Sequence, residues 1–151
     1  MGIFRKINIL FSLNFRTLGL YAEAACYLGW ARIQVAIPFS KVAPKLGVRM
    51  EETSNDRFEK HRTELISVQD AIHLISQHTI WESKCLVKAI AASRMLEKRH
   101  IDSTLYLGTA RDESGKMIAH AWLRSGPYYI TGAEGMERFV VIGKFAKYAG
   151  Q

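Results

Sequence analysis

Two side chains in this sequence have the chemical types that nucleophilic acyl chemistry requires. Cys85 lies in Ser83-Lys84-Cys85-Leu86-Val87-Lys88-Ala89, and His120 in Ala119-His120-Ala121-Trp122. A thiol becomes an effective nucleophile at neutral pH when a base takes its proton, and imidazole is a common base. The residue pattern puts Cys85 at the mouth of a helix, where unpaired N–H groups carry a partial positive charge of roughly half a unit. Such a position draws a thiol pKa below its ordinary value of about 8.5, and Lys84 adds to the same field. The free N–H groups can also hold the oxyanion of a tetrahedral intermediate. Losing one such donor typically costs about 10²–10³ in rate. His120 sits among Ile118, Ala119, Ala121, Trp122 and Leu123 in a stretch that reads as a strand. Packed against the Cys85 helix, its imidazole would reach the sulfur and protonate a leaving amine. The alternative is a buried histidine satisfied by a backbone carbonyl.

Elements that could position this pair follow from periodicity. Apolar residues recur at three- and four-residue steps from Phe4 to Val35, which predicts one or two helices weakened at Gly19 and Gly29 and ended by Pro38. Such a helix either packs on the rest of the protein or, because Ile3, Leu10, Leu13 and Leu20 widen its apolar face, docks on a partner or a membrane surface. Lys41 to His61 is turn-rich and then charged, and reads as a connector. Helical spacing returns from Leu65 to His78. His73 and His78 are five apart and share no helix face, so they do not make a metal motif. Ser83 is the expected N-cap of the next helix, Cys85 to about Arg99, with Leu86, Ile90, Met95 and Leu96 inward. The period then changes to two. Strands are predicted at 103–109, 117–124, 128–131 and 139–145, with turns at 112–115 and 125–127. A helix followed by antiparallel strands is α+β layering. The chain thus divides into a helical N-terminal region with its connector, 1–62, and a core, 63–151.

Charge and composition narrow the function classes. The chain is 48% hydrophobic and 23% charged, enough to bury a core. Of the net +7, residues 1–50 supply most, with seven Lys/Arg against Glu23 alone, so a partner of opposite sign is sought there: an acidic peptide, another protein or an anionic lipid surface. Nucleic acid is disfavoured, since zinc-finger spacing, an aromatic RNA-binding signature and an Arg-rich arm are all missing. The two cysteines, Cys26 and Cys85, form no disulfide framework; Cys26, among Ala24, Ala25, Tyr27 and Leu28, reads as a small core residue. Arg5 and Lys6 precede an apolar stretch that Asn8, Asn14 and Arg16 interrupt, unlike a secretion signal. Glu23 breaks the longest uncharged run of this third, short of the about 20 residues of a spanning helix. The expected location is cytoplasmic, with contact at the inner membrane face open. No metal or cofactor is expected.

Cys85-Leu86-Val87 with Ala89, Ala91, Leu96 and Arg99, then Tyr106-Leu107-Gly108, then Ala119-His120-Ala121-Trp122-Leu123, resembles the lasso-peptide leader peptidases, which are transglutaminase-like cysteine peptidases. Glu23-Ala24, Ala31-Arg32 and Pro38-Phe39 resemble that family's helical preamble. The resemblance implies a papain/transglutaminase-like core, a helix with an N-terminal Cys packed on an antiparallel sheet, preceded by a helical region. It implies thiol attack on the amide that joins a leader to its precursor peptide. A separate leader-recognition protein would present the leader, and an ATP-dependent macrolactam cyclase would close the ring of the released core.

One departure stands out. The family pattern has a catalytic aspartate on the strand after the histidine, whereas here neither Asp nor Asn follows His120 and the corresponding place reads Ile130-Thr131-Gly132-Ala133-Glu134. With Ser125-Gly126 as a two-residue hairpin loop, His120 would face Thr131. The orienting group is then Thr131, Glu134 or a backbone carbonyl. Trp81, Glu82 and Trp122 are candidates for substrate contact, with plain packing as the alternative for Trp81. Two other activities fit the same pattern: a non-catalytic peptide-binding scaffold that lost the third residue, and acyl transfer to an amine through the same thioester.

Overall fold

The computed structural model describes residues 14–56, 59–80 and 84–150. Among the described residues four α-helices are present, α1 (Phe15–Gln34), α2 (Phe39–Leu46), α3 (Arg62–Ser76) and α4 (Cys85–Lys98). Five strands follow or intervene, β1 (Val48–Arg49), β2 (Ser103–Arg111), β3 (Met117–Ser125), β4 (Tyr128–Thr131) and β5 (Val140–Lys147). All pairings are antiparallel, in the order β1-β5-β2-β3-β4. The layering is the expected α+β arrangement.

α4 is the central helix. Its buried residues include Val87, Ala89, Ile90, Ala91, Ala92, Met95 and Leu96, which cover nearly its whole circumference. The alanines do more than supply helix propensity: their small side chains let α1 approach on one side and β3 on the other. α1 answers with Ala24, Leu28 and Ala31, all fully buried at helical spacing. Cys26 lies off that stripe and is exposed, which corrects its reading as a core residue. α4 ends in a Schellman motif. His100 takes a left-handed φ of 57°, its N–H bonds to Glu97 O, and Ile101 N–H bonds back to Leu96 O. Arg99 forks onto the Glu23 carboxylate at 2.7 and 2.9 Å and so ties the end of α4 to α1.

The stretch read as a connector is more ordered than its composition suggests. Residues 39–46 form α2 with Val42 and Leu46 buried, and Pro38 opens that helix from its N-cap position rather than closing the one before. Val48–Arg49 pairs with β5. Residues 52–55 are strapped across the sheet. Arg124, 7% exposed, donates to Thr53 O, Ser54 O and Asn55 Oδ1, and Thr53 N–H donates to Thr104 Oγ1 at 2.9 Å.

The predicted strands are all present, but the β3–β4 register is not as expected. Ser125 pairs with Tyr128, so the loop is Gly126-Pro127, and a bulge then brings Leu123 opposite Thr131. Gly126, at φ 53°, holds the first central turn position, where an L side chain would be strained. β4 ends at Thr131, which leaves the β3 edge at His120 beyond the last strand pair. Leucines 105 and 123 face α4 from paired positions, while Tyr106, Trp122 and Arg124 face the other way. No helix among the described residues is long and apolar enough to cross a membrane. The Phe4–Leu13 part of the first predicted helix lies outside the described residues.

Candidate active site

Cys85 is the first residue of α4 and is half-buried. The N-cap position belongs to Lys84, in extended backbone, and not to Ser83, which lies outside the described residues. The first intrahelical bond runs from Lys88 N–H to Lys84 O at 3.0 Å. The N–H groups of Cys85, Leu86 and Val87 therefore have no acceptor within the helix. Those groups surround the sulfur's own backbone and are the donors an oxyanion next to Sγ would meet.

His120 projects from β3 just past the end of β4. Its Nε2 lies 2.7 Å from Gly132 O. A carbonyl can only accept, so Nε2 carries the proton and Nδ1 holds the lone pair of the neutral ring. The ring is flanked by Phe139, with centroids 5.0 Å apart, and by Trp122 at 5.8 Å. Trp122 in turn stacks on Tyr106 at an interplanar angle of 8°. Arg124 Nε donates to the Tyr106 hydroxyl, which donates to Glu52 at 2.8 Å. That last bond holds the Glu52 carboxyl below the usual glutamate range, and burial pushes the Tyr106 phenol up, so the hydroxyl keeps the proton it donates. The column Arg124–Tyr106–Trp122–His120 fixes the imidazole from behind.

Two glycines make that geometry attainable. Gly132 has φ +72°, and a Cβ there would stand 2.4 Å from Ala121 O. Only a residue without a side chain lets the loop come close enough to β3 to offer its carbonyl to His120. Gly108 faces His120 across the β2–β3 ladder. A Cβ on it would meet Phe139 Cβ at 2.8 Å and the Trp122 ring at 2.9 Å.

Cys85 and His120 line one cavity of about 650 Å³. Its other walls are Gln69, Asp70 and His73 of α3, Lys88 of α4, and the run from Tyr129 to Glu134. Sγ and the imidazole share this space without a hydrogen bond to one another among the described residues. Thr131 and Glu134 both line the cavity, yet neither bonds the imidazole, whose partner is the Gly132 carbonyl. Trp122 is 5% exposed and stands behind His120 rather than on the cavity wall. Trp81 and Glu82 lie outside the described residues.

The wall supplied by α3 has no counterpart in the sequence reading. Asp70 and His73 are three apart on one helix face, a spacing that signals shared surroundings, and Gln69 Nε2 reaches Tyr129 O at 3.4 Å to join α3 to β4.

The family model described as the transglutaminase-like superfamily matches residues 31–144. The chain belongs to that superfamily. Its members are typically cysteine-dependent enzymes, peptidases or acyltransferases, and a helix that opens on a cysteine against an antiparallel sheet is the core observed here. Comparison with curated proteins and with solved structures gives no match.

Proposed function

We propose that this chain is the cysteine peptidase that cuts the leader from a ribosomally made lasso precursor peptide. It would act with a separate leader-recognition protein that presents the leader and ahead of an ATP-dependent macrolactam cyclase. The observation that carries this reading is the cavity that takes in both Cys85, at a helix N-terminus, and His120, whose Nε2–H is anchored on Gly132 O.

The chemistry follows from that anchoring. Nδ1 of His120 takes the thiol proton, and the resulting imidazolium keeps its Nε2–H on the Gly132 carbonyl. The carbonyl dipole orients the ring and favours its positive charge, a weaker version of what a carboxylate does. Sγ adds to the scissile carbonyl carbon, and the oxyanion turns to the N–H groups at the start of α4. Collapse of the adduct breaks the C–N bond, and the imidazolium hands its proton to the leaving amine. Water, deprotonated by the same Nδ1, then adds to the thioester. Sγ leaves and recovers its proton, and the leader departs as a carboxylic acid.

The test is incubation of the precursor with its recognition protein and this chain, with the products weighed by mass spectrometry. Cys85→Ala should abolish cleavage, and His120→Ala should slow it by about 10²–10⁴. Equal cleavage by Cys85→Ala ends the assignment. An amide of an added amine, formed in preference to the free acid, would make the chain an acyltransferase instead.

A further inference from the structure

Besides Gln69, His73 and Lys88, three polar groups that line the Cys85 cavity have no task in the steps above. Asp70 comes from α3 and Glu134 from the loop after β4, so two carboxylates stand on different walls of one cavity. Neither makes an ion pair or hydrogen bond among the described residues, although the chain has 21 Lys and Arg to offer. The third group is the Thr131 hydroxyl. Thr131 is 9% exposed, and its Oγ1 is buried with no hydrogen-bond partner. Because it pairs with Leu123, it shares the sheet face that looks toward α3 and α4, which turns it into the cavity it lines. A buried hydroxyl without a partner is costly, and a ligand that supplies one relieves the cost.

All three groups accept hydrogen bonds, and two of them carry negative charge. The ligand that matches them brings a positive charge and several N–H donors. We propose that this cavity is a subsite for a lysine or arginine side chain of the substrate peptide, next to the scissile bond. The proposal rests on Cys85 being the nucleophile of a peptidase. Lys88 and the α4 N-terminus are the positive features of the cavity, and both belong to the helix end that meets the oxyanion. The carboxylates belong to other walls, Asp70 to α3 and Glu134 to the loop after β4. An acidic substrate side chain would lose its hydration there and meet like charge.

The experiment reads the cavity without turnover. Cys85 is labelled with two methanethiosulfonates of similar size, one trimethylammonium and one sulfonate, with rates resolved by peptide mass spectrometry and normalised to a small free thiol. Cys26, exposed beside Arg94 and Lys98, is the internal reference. The expected result is a preference of Cys85 for the cationic reagent, relative to Cys26, of about threefold or more. Asp70→Asn and Glu134→Gln, both at exposed positions that tolerate change, should each lower that ratio, and together remove it. Arginine amide should slow labelling of Cys85 more than glutamate amide does, and Thr131→Val should weaken that protection. Equal rates for the two reagents, or a preference for the sulfonate, overturn the subsite. Preference with no cleavage of the precursor would instead remove the peptidase reading and leave the cation site standing.

Discussion

Toward α3 and α4 the sheet presents Leu105, Ala121, Leu123 and Phe145, all buried in the apolar core. On its other side the same strands present Thr104, Tyr106, Trp122 and Arg124, and from that side His120, past the end of β4, opens into the Cys85 cavity. The first face is held by close packing, which is non-directional and tolerates small shifts. The second is held by ring stacking and by hydrogen bonds from one buried guanidinium, which tolerate little. Only the second can fix an imidazole to within hydrogen-bond precision, and that is the face on which His120 lies. One strand, β3, therefore serves stability with its odd positions and the site with its even ones.

Removing Arg124 should break this contrast most visibly. Its guanidinium reaches Thr53 O at 3.0 Å, Gly126 O at 2.6 Å and the Tyr106 hydroxyl at 3.0 Å, with no carboxylate among its partners. Arg124→Leu leaves those acceptors buried and unmatched, and the expected loss is about 3 kcal/mol. For a chain of this size that lowers the midpoint of thermal unfolding by roughly 10 °C. A loss under about 1 kcal/mol in urea titration would show that the strap over residues 52–55 is held by something else. Because its direct partners are carbonyls and a hydroxyl, this contribution should be flat between about pH 6 and 8, and weaken only as acid protonates Glu52, whose carboxyl the Tyr106 hydroxyl and the Arg124 charge hold below the usual range.

The helical side is fastened by charge at Glu23, and that fastening should behave in the opposite way with pH. The bidentate hydrogen bond from Arg99 holds the Glu23 carboxyl below the usual glutamate range, with desolvation opposing. A carboxyl whose folded pKa is depressed stabilises the fold fully above its unfolded pKa, and that stability is lost as pH falls through the folded value. Glu23→Gln should therefore cost about 1.5 kcal/mol at neutral pH. The parent and the variant should converge as the pH drops below the ordinary glutamate range. A gap that persists there would mean that packing of the Glu23 stem, and not its charge, joins α1 to α4.

Much of this was legible in the sequence because the signals were periodic. The change from three- and four-residue spacing to alternation located α4 and β2 to β5, and residue type alone singled out Cys85 and His120. Where reading failed, the cause was a feature with no residue identity. The hairpin slipped because Gly126-Pro127, and not Ser125-Gly126, makes the turn, and because a bulge beside Leu123 adds a residue that alternation cannot show. The partner of His120 is a backbone carbonyl, which every residue has. What singles out Gly132 is the closeness of its approach to Ala121, a tertiary fact. Cys26 was misjudged because its neighbours in sequence are apolar, while the helix turns it outward from the Ala24–Leu28–Ala31 stripe. Asp70 enters the cavity only through the packing of α3 on β4.

The smallest expected change in stability carries the most pointed information about how the outer face positions the site. Gly108→Ala adds one methyl where Phe139 Cβ and the Trp122 ring already stand within 3 Å. Overpacking by a single carbon at a strand position should cost about 1 kcal/mol, with the helical face untouched. Phe139 and Trp122 are the two rings that flank His120, so the displacement passes to the imidazole and lengthens its bond to Gly132 O. The expected kinetic signature is a several-fold lower kcat with KM little changed, because the carboxylates and Thr131 that line the cavity do not move. If kcat matches the parent while stability falls by the expected amount, then the aromatic column braces the sheet alone, and Gly132 suffices to hold His120.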